Sequence, residues 1–425
     1  MKNILMLSAL TLFSLPSLGE SIAVVGGKVF TMSSQGTIEN ATVLINDGLI
    51  ESVTSNGATP EGYTIIDARG KVVTPGFVGA FTSLGLVEVS SSAGVVDASV
   101  ETSQVSNTGA ALDVSYGVNP DSSLINITRL EGMTSAATTI TNSKYLFGGL
   151  GAVISLNGQS PILKQSAFMT VNVGSQGAEL SGGTRASLWV LLERVLEEAA
   201  KAGSDTSPEK PWYGINSRSD VDVIKRVQSG EVPLFMSADS AADIRQVIAF
   251  KERHPSIKVV LVHAVEAWRE ADALASADIP VIIDPEYNLP GGFEQMGATL
   301  ANGARLEAAG VDVAIGMDTH NIRLAAQHAG NAVANGMTHE AGIASLTSVP
   351  AKILGMEGKL GVLTEGARGD LVVWSGDPLE VTEAAEVVII DGKPIKMESR
   401  QTKLRDRYLS LQAGDKKTPS HYFRE

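Results

Sequence analysis

Val232-Pro233-Leu234-Phe235-Met236, then Ala241 to Arg253, then Ile257 to Val262 closed by His263, is the stretch on which the fold turns. The outer segments are short apolar runs of strand length, and the middle one carries its apolar residues at helical spacing. The same alternation extends in both directions. Upstream lie a helix over Arg185 to Ala202, with Leu188, Leu191, Leu192, Val195 and Leu196 on one stripe, and a second over Val221 to Ser229, ended by Gly230. Downstream, helical patterns at 265–275 and 298–309 alternate with strand patterns at 279–283 and 311–315, and helices follow at 322–335 and 338–346. Strand and helix alternating at this pace imply a parallel sheet with helices packed on it. No phosphate-binding glycine fingerprint opens a first strand–helix turn. The fold expected is therefore α/β, a (β/α)8 TIM-like barrel rather than a doubly wound sheet.

The two ends of the chain have a different texture. Residues 22–25, 28–32, 41–45, 49–53 and 63–67 are short β-rich runs, and Asn46-Asp47-Gly48 is a hairpin signal between two of them. The texture returns at 370–374 and 387–390, with a further turn at Asp391-Gly392-Lys393-Pro394. One sheet system built from both ends accounts for this. The expected organisation is a small discontinuous β-sandwich from 20–73 and 362–395, a barrel over 74–361 inserted into it, and a charged C-terminal tail at 396–425. Residues 91–183 are rich in Ser, Thr, Gly and Asn and poor in charge, and read as long loops over one mouth of the barrel.

Composition bounds the chemistry. Of the 425 residues, 44% are hydrophobic, enough for a large core, and 47 acids against 33 bases give a formal charge of -14. That charge excludes a uniformly basic nucleic-acid footprint. The absence of cysteine removes disulfides, thiol nucleophiles and Cys-based metal sites, so any metal must be held by carboxylates, a modified lysine or the six histidines. At the N-terminus, Lys2, the apolar run Ile4 to Leu15, Pro16 and the small-x-small Ser17-Leu18-Gly19 read as a signal peptide over 1–19, cleaved before Glu20. The protein expected is periplasmic, with no membrane span in its mature part.

In such a barrel the reactive side chains stand where strands end. Three strand ends qualify: Ser237 with Asp239 two residues on, His263, and Asp318 followed by Thr319, His320 and Asn321. Other signatures are missing. No Gly-x-Ser-x-Gly elbow occurs, and His339-Glu340 lacks its second histidine because position 343 is Ile. Gly148-Gly149-Leu150-Gly151 reads as a turn.

Lys71-Val72-Val73-Thr74-Pro75-Gly76-Phe77-Val78-Gly79-Ala80 resembles the entry to barrel strand 1 of the amidohydrolase superfamily. Pro350 to Met356 and Gly361 to Ala367 are similar to that superfamily's exit from the barrel. Gly369-Asp370-Leu371-Val372-Val373-Trp374, followed by Gly376-Asp377-Pro378, is similar to its return into the β domain. The imidazolonepropionase-like branch of metal-dependent hydrolases is the group most resembled, over roughly residues 22–395. The resemblance implies zinc or another divalent ion as cofactor and hydrolysis of non-peptide carbon–nitrogen bonds of the cyclic amide class.

The same resemblance exposes departures. Where family members carry His-x-His at the end of strand 1, this chain has Phe81 and Ser83, and the strand-5 histidine falls on Ser237. His263 on strand 6 and Asp318 on strand 8 are retained. For a carboxylated lysine between two metals, Lys164 is the nearest residue in 150–183, and it does not end an apolar strand. A hydrolytic zinc usually takes three protein ligands and a water. With His263 and Asp318 as residual ligands, metal binding is expected to be weak or absent. Asp318 is then the candidate catalytic base, with His320, Asn321 and Ser237 as candidate substrate-binding residues. The alternative is a catalytically silent barrel that binds a small molecule, or that partners a second copy or an active paralogue.

Overall fold

The computed structural model describes residues 21–55, 59–88, 95–159, 161–203 and 212–412. The expected signal peptide and the last part of the charged tail lie outside these residues. The described part of the tail forms a helix, Arg400–Gln412.

Eight strands make the central sheet: β1 (Phe77–Thr82), β2 (Met133–Thr138), β3 (Phe147–Ser155), β4 (Ile162–Asn172), β5 (Leu234–Ala238), β6 (Val259–His263), β7 (Val281–Ile283) and β8 (Val313–Ile315). They lie side by side in chain order. The last strand returns to the first. Met317 N donates to Phe81 O at 3.1 Å and Ser83 N to Thr319 O at 3.1 Å, so the sheet is a nearly closed barrel. Gly316 allows this approach, because a Cβ there would lie 2.5 Å from Ile282 Cγ2 and 3.0 Å from Phe81 Cβ.

The sheet is not wholly parallel. β4 to β8 are parallel, as is β1 with β2, but β3 runs antiparallel to both β2 and β4. Residues 91–183 therefore correct two expectations. They supply three barrel strands as well as loops, and Gly148 to Gly151 lie within β3 rather than in a turn. The glycines serve packing. A Cβ on Gly151 would fall 2.2 Å from the Phe168 ring, which stacks on Phe235 at 4.2 Å in the barrel interior.

The barrel interior is filled by a tight cluster that includes Val78, Ala80, Phe168, Phe235, Val260 and Ala314. Its outside packs against the helices through a larger cluster. The helix Arg185–Lys201 contributes Leu188, Leu192, Val195 and Leu196, as its stripe requires. The helix Arg218–Gln228 starts with a capping box of Ser217 and Asp220. Asp220 also accepts hydrogen bonds from Ser106 Oγ and the backbone N–H groups of Asn107 and Ala111. Burial pushes this carboxyl's pKa up, but the hydrogen bonds prevail and hold it below the usual value. One buried aspartate thus ties the loop before β2 to the scaffold.

A second sheet joins the two ends of the chain. The strand Val72–Pro75 pairs with Leu371–Trp374 on one side, Leu371 opposite Pro75, and with Ile22–Phe30 on the other. All of its strands form one hydrogen-bonded sheet. The two expected hairpin turns are present: Asp47 and Gly48, and Asp391 and Gly392, all have positive φ, the geometry of the two-residue hairpin.

Candidate functional site

Parallel strands place the ends of β4, β5, β6 and β8 at one mouth of the barrel. The register sets Asn172 opposite Ser237, Ser237 opposite Val262, and Ala238 opposite His263. A pocket of about 60 Å³ opens there. Ser237, His263 and Asp318, picked out as strand-end residues, all line it, together with Phe81, Thr170 and Asn172. His320 and Asn321 are not among its lining residues. They follow Asp318 in the next turn, where Asn321 N donates to Thr319 Oγ1 at 3.2 Å and Asn321 Oδ1 is buried without a hydrogen-bond partner among the described residues.

The end of β6 is shaped to present His263. Both His263 (φ 70°) and Ala264 (φ 54°) adopt the left-handed conformation, uncommon for residues with a side chain and costing about 1–3 kcal/mol each. The turn is held by Ala264 N donating to Ala238 O at 3.1 Å and by Asn302 Nδ2 donating to Ala264 O at 2.9 Å. His263 Nε2 then stands 3.8 Å from Asp318 Oδ2, an ion-pair distance but too long for a direct hydrogen bond. Phe81 meets the same imidazole edge-on, with ring centres 6.0 Å apart.

Electrostatics at the mouth are set by carboxylates. Desolvation raises the pKa of Asp318, and the attraction of His263 only partly offsets it. Tyr287, on the loop after β7, is raised by burial and then by the negative charges of Asp284, Asp239 and Asp318. Asp284 and Asp239 already have partners: His328 Nδ1 lies 2.8 Å from Asp284 Oδ1, and Gln295 Nε2 donates to Asp239 Oδ2 at 2.9 Å.

The ligand inventory is short. Among the described residues no group of three or more His, Asp or Glu side chains is placed to hold a metal ion. Ser83 is buried, and its backbone N–H is committed to the closure of the barrel. Lys164 lies near the start of β4, and its Nζ donates to Leu354 O at 2.8 Å. Asn172 occupies the end of β4 at the mouth. Its Oδ1 accepts from the N–H groups of Gly174 and Gly177 at 3.0 and 3.1 Å and shapes the following turn.

Asn172, Thr170 and Asp284 were not singled out from the sequence. The signal for Asn172 and Asp284 was present, since each follows an apolar run that ends a strand. Thr170 lies inside its strand, and nothing in the sequence separates it from neighbours that face elsewhere.

A nearly closed eight-stranded barrel with polar side chains gathered at strand ends is the architecture of the TIM-like barrel proteins. A family model described as the amidohydrolase family matches residues 193–396. An amidohydrolase from Thermotoga maritima has the same fold at a TM-score of 0.77 and 26% identity, over 88% of this chain and 99% of its own. Molinate hydrolase aligns at a TM-score of 0.54 and 16% identity, over 96% of this chain and 98% of its own. A shorter match, 46% identical over 57 residues, links the chain to amidohydrolase tasK of Hapsidospora irregularis. It spans 13% of this chain and 6% of that protein. The chain belongs to the amidohydrolase superfamily.

Proposed function

We propose that the barrel mouth is a binding site for a small molecule that works without a hydrolytic divalent metal. The observation that carries this reading is the packing of Phe81. Its ring occupies a strand-1 position where the family places an imidazole, and it lies edge-on against His263 at 6.0 Å. Phenylalanine cannot coordinate, and a neutral serine hydroxyl at position 237 is a weak ligand. His263 and Asp318 remain, one fewer than the three protein ligands of a catalytic zinc. The residues present do not fit such an ion.

A second reading keeps hydrolysis of a cyclic amide without a metal, and one observation favours it. Burial raises the pKa of Asp318, in the direction that suits a general base. Asp318 would take the proton of an attacking water and return it to the leaving nitrogen, while His263 polarised the carbonyl oxygen. Losing the Lewis acid leaves such a site slow by several orders of magnitude. The two readings separate in an assay of ring opening on hydantoin and dihydrouracil, with and without added zinc. The binding reading expects no turnover in either case. Turnover that disappears in Asp318→Asn overturns it in favour of the second.

A further inference from the structure

We infer that the ligand of the barrel mouth is a small organic cation, a protonated amine whose head group sits on Asp318. This rests on the reading of the mouth as a metal-free binding site. Among the described residues, Asp318 is the one carboxylate that lines the cavity, and no lysine or arginine lines it. An anionic ligand would meet no lysine or arginine among the described lining residues. The imidazole of His263 is 3.8 Å from Asp318, beyond direct hydrogen-bonding reach, so the carboxylate oxygens keep their acceptor capacity.

Two further observations point the same way. Thr170 and Ser237 are more than nine-tenths buried, line the cavity, and have hydroxyl groups with no hydrogen-bond partner among the described residues. Hydroxyls that face a pocket are open to a ligand, and an ammonium group brings three donors to meet such acceptors. The approach to the cavity is negative as well, because Asp239 and Asp284 act with Asp318 on Tyr287. Their partners are Gln295, which is neutral, and His328. The Phe81 ring supplies an apolar and polarisable wall, suited to the carbon skeleton or to the cation itself.

The test uses three probes of nearly one shape and different charge: benzylamine, benzyl alcohol and benzoate, titrated into the full-length protein by ligand-observed NMR and calorimetry. The expected order is benzylamine first, tighter than benzyl alcohol by about tenfold or more, with benzoate last. In Asp318→Asn the preference for the amine should vanish. In Thr170→Val, which keeps the shape and removes one hydroxyl, it should weaken. Three results overturn the inference: benzoate binding as tightly as benzylamine, a preference that survives Asp318→Asn, or no binding by any probe at millimolar concentration. Metal content measured on the same preparation separates the two claims. Metal-loaded protein defeats the underlying reading, whereas metal-free protein that prefers the anion defeats only the cation.

Discussion

Asp370 and Asp318 are both carboxylates raised by burial, and their surroundings could hardly differ more. Asp370 lies where the two-ended sheet meets the barrel. Arg368 holds it at 3.0 Å, Asp391 N donates to it at 2.7 Å, and the same guanidinium reaches Ser155 Oγ at 2.8 Å and Asp391 Oδ1 at 3.3 Å. Asp318, at the barrel mouth, has among the described residues only the imidazole of His263 at 3.8 Å, beside hydroxyls that no described residue satisfies. A polar network completed from within the chain holds a fold together. A polar cluster left incomplete, inside a cavity, is shaped for something that arrives from outside.

Breaking the completed network should cost the most. Arg368→Met leaves a fully buried carboxylate without its cation and is expected to destabilise the protein by about 3–5 kcal/mol at neutral pH. Asp318→Asn removes a charge that the fold does not use and should change stability by no more than about 0.5 kcal/mol. Denaturant unfolding of both variants beside the wild type checks the pair. Equal losses would erase the distinction between the two regions.

The pH dependence sharpens the same comparison on a smaller scale. Desolvation raises Asp370 from 3.8 to about 6, more than Arg368 lowers it. Between those values the folded state keeps a proton that the unfolded state has released. Stability from this residue is therefore highest at the acid end and falls as pH rises to about 6, then stays level. The margin of wild type over Asp370→Asn should shrink across that window by up to about 3 kcal/mol. A margin that is flat between pH 4 and 6, or that grows with pH, contradicts the assignment.

Much of this was legible before the structure. The βα alternation from 185 to 346 was clear because Leu188, Leu192, Val195 and Leu196 bury one stripe, and because short apolar runs such as Val259 to Val262 are strands buried on both faces. The hairpin turns were legible because Asp47-Gly48 and Asp391-Gly392 suit positive φ. The strand-end rule brought Ser237, His263 and Asp318 to one cavity.

The strands β2 and β3 were hidden for a physical reason. Met133 to Thr138 and Phe147 to Ser155 are rich in Ala, Gly, Thr and Ser, and they are buried throughout without an alternating pattern. Their smallness answers to bulk supplied from elsewhere, as Gly151 answers to Phe168, and no local signal records that partner. The antiparallel course of β3 is a consequence of the short connections on either side of it, at 139–146 and 156–161, which leave no room for a crossover helix.

The central claim is that this mouth no longer holds a hydrolytic metal, and elemental analysis tests it most directly. Protein purified without chelators is measured beside the triple variant Phe81→His, Ser83→His and Ser237→His, which adds histidines at two positions that line the cavity with His263 and Asp318 and at the buried position 83 next to them. The account predicts well under one equivalent of zinc or any other divalent ion in the wild type, and uptake of at least one by the variant. One or two tightly bound equivalents in the wild-type protein would contradict it.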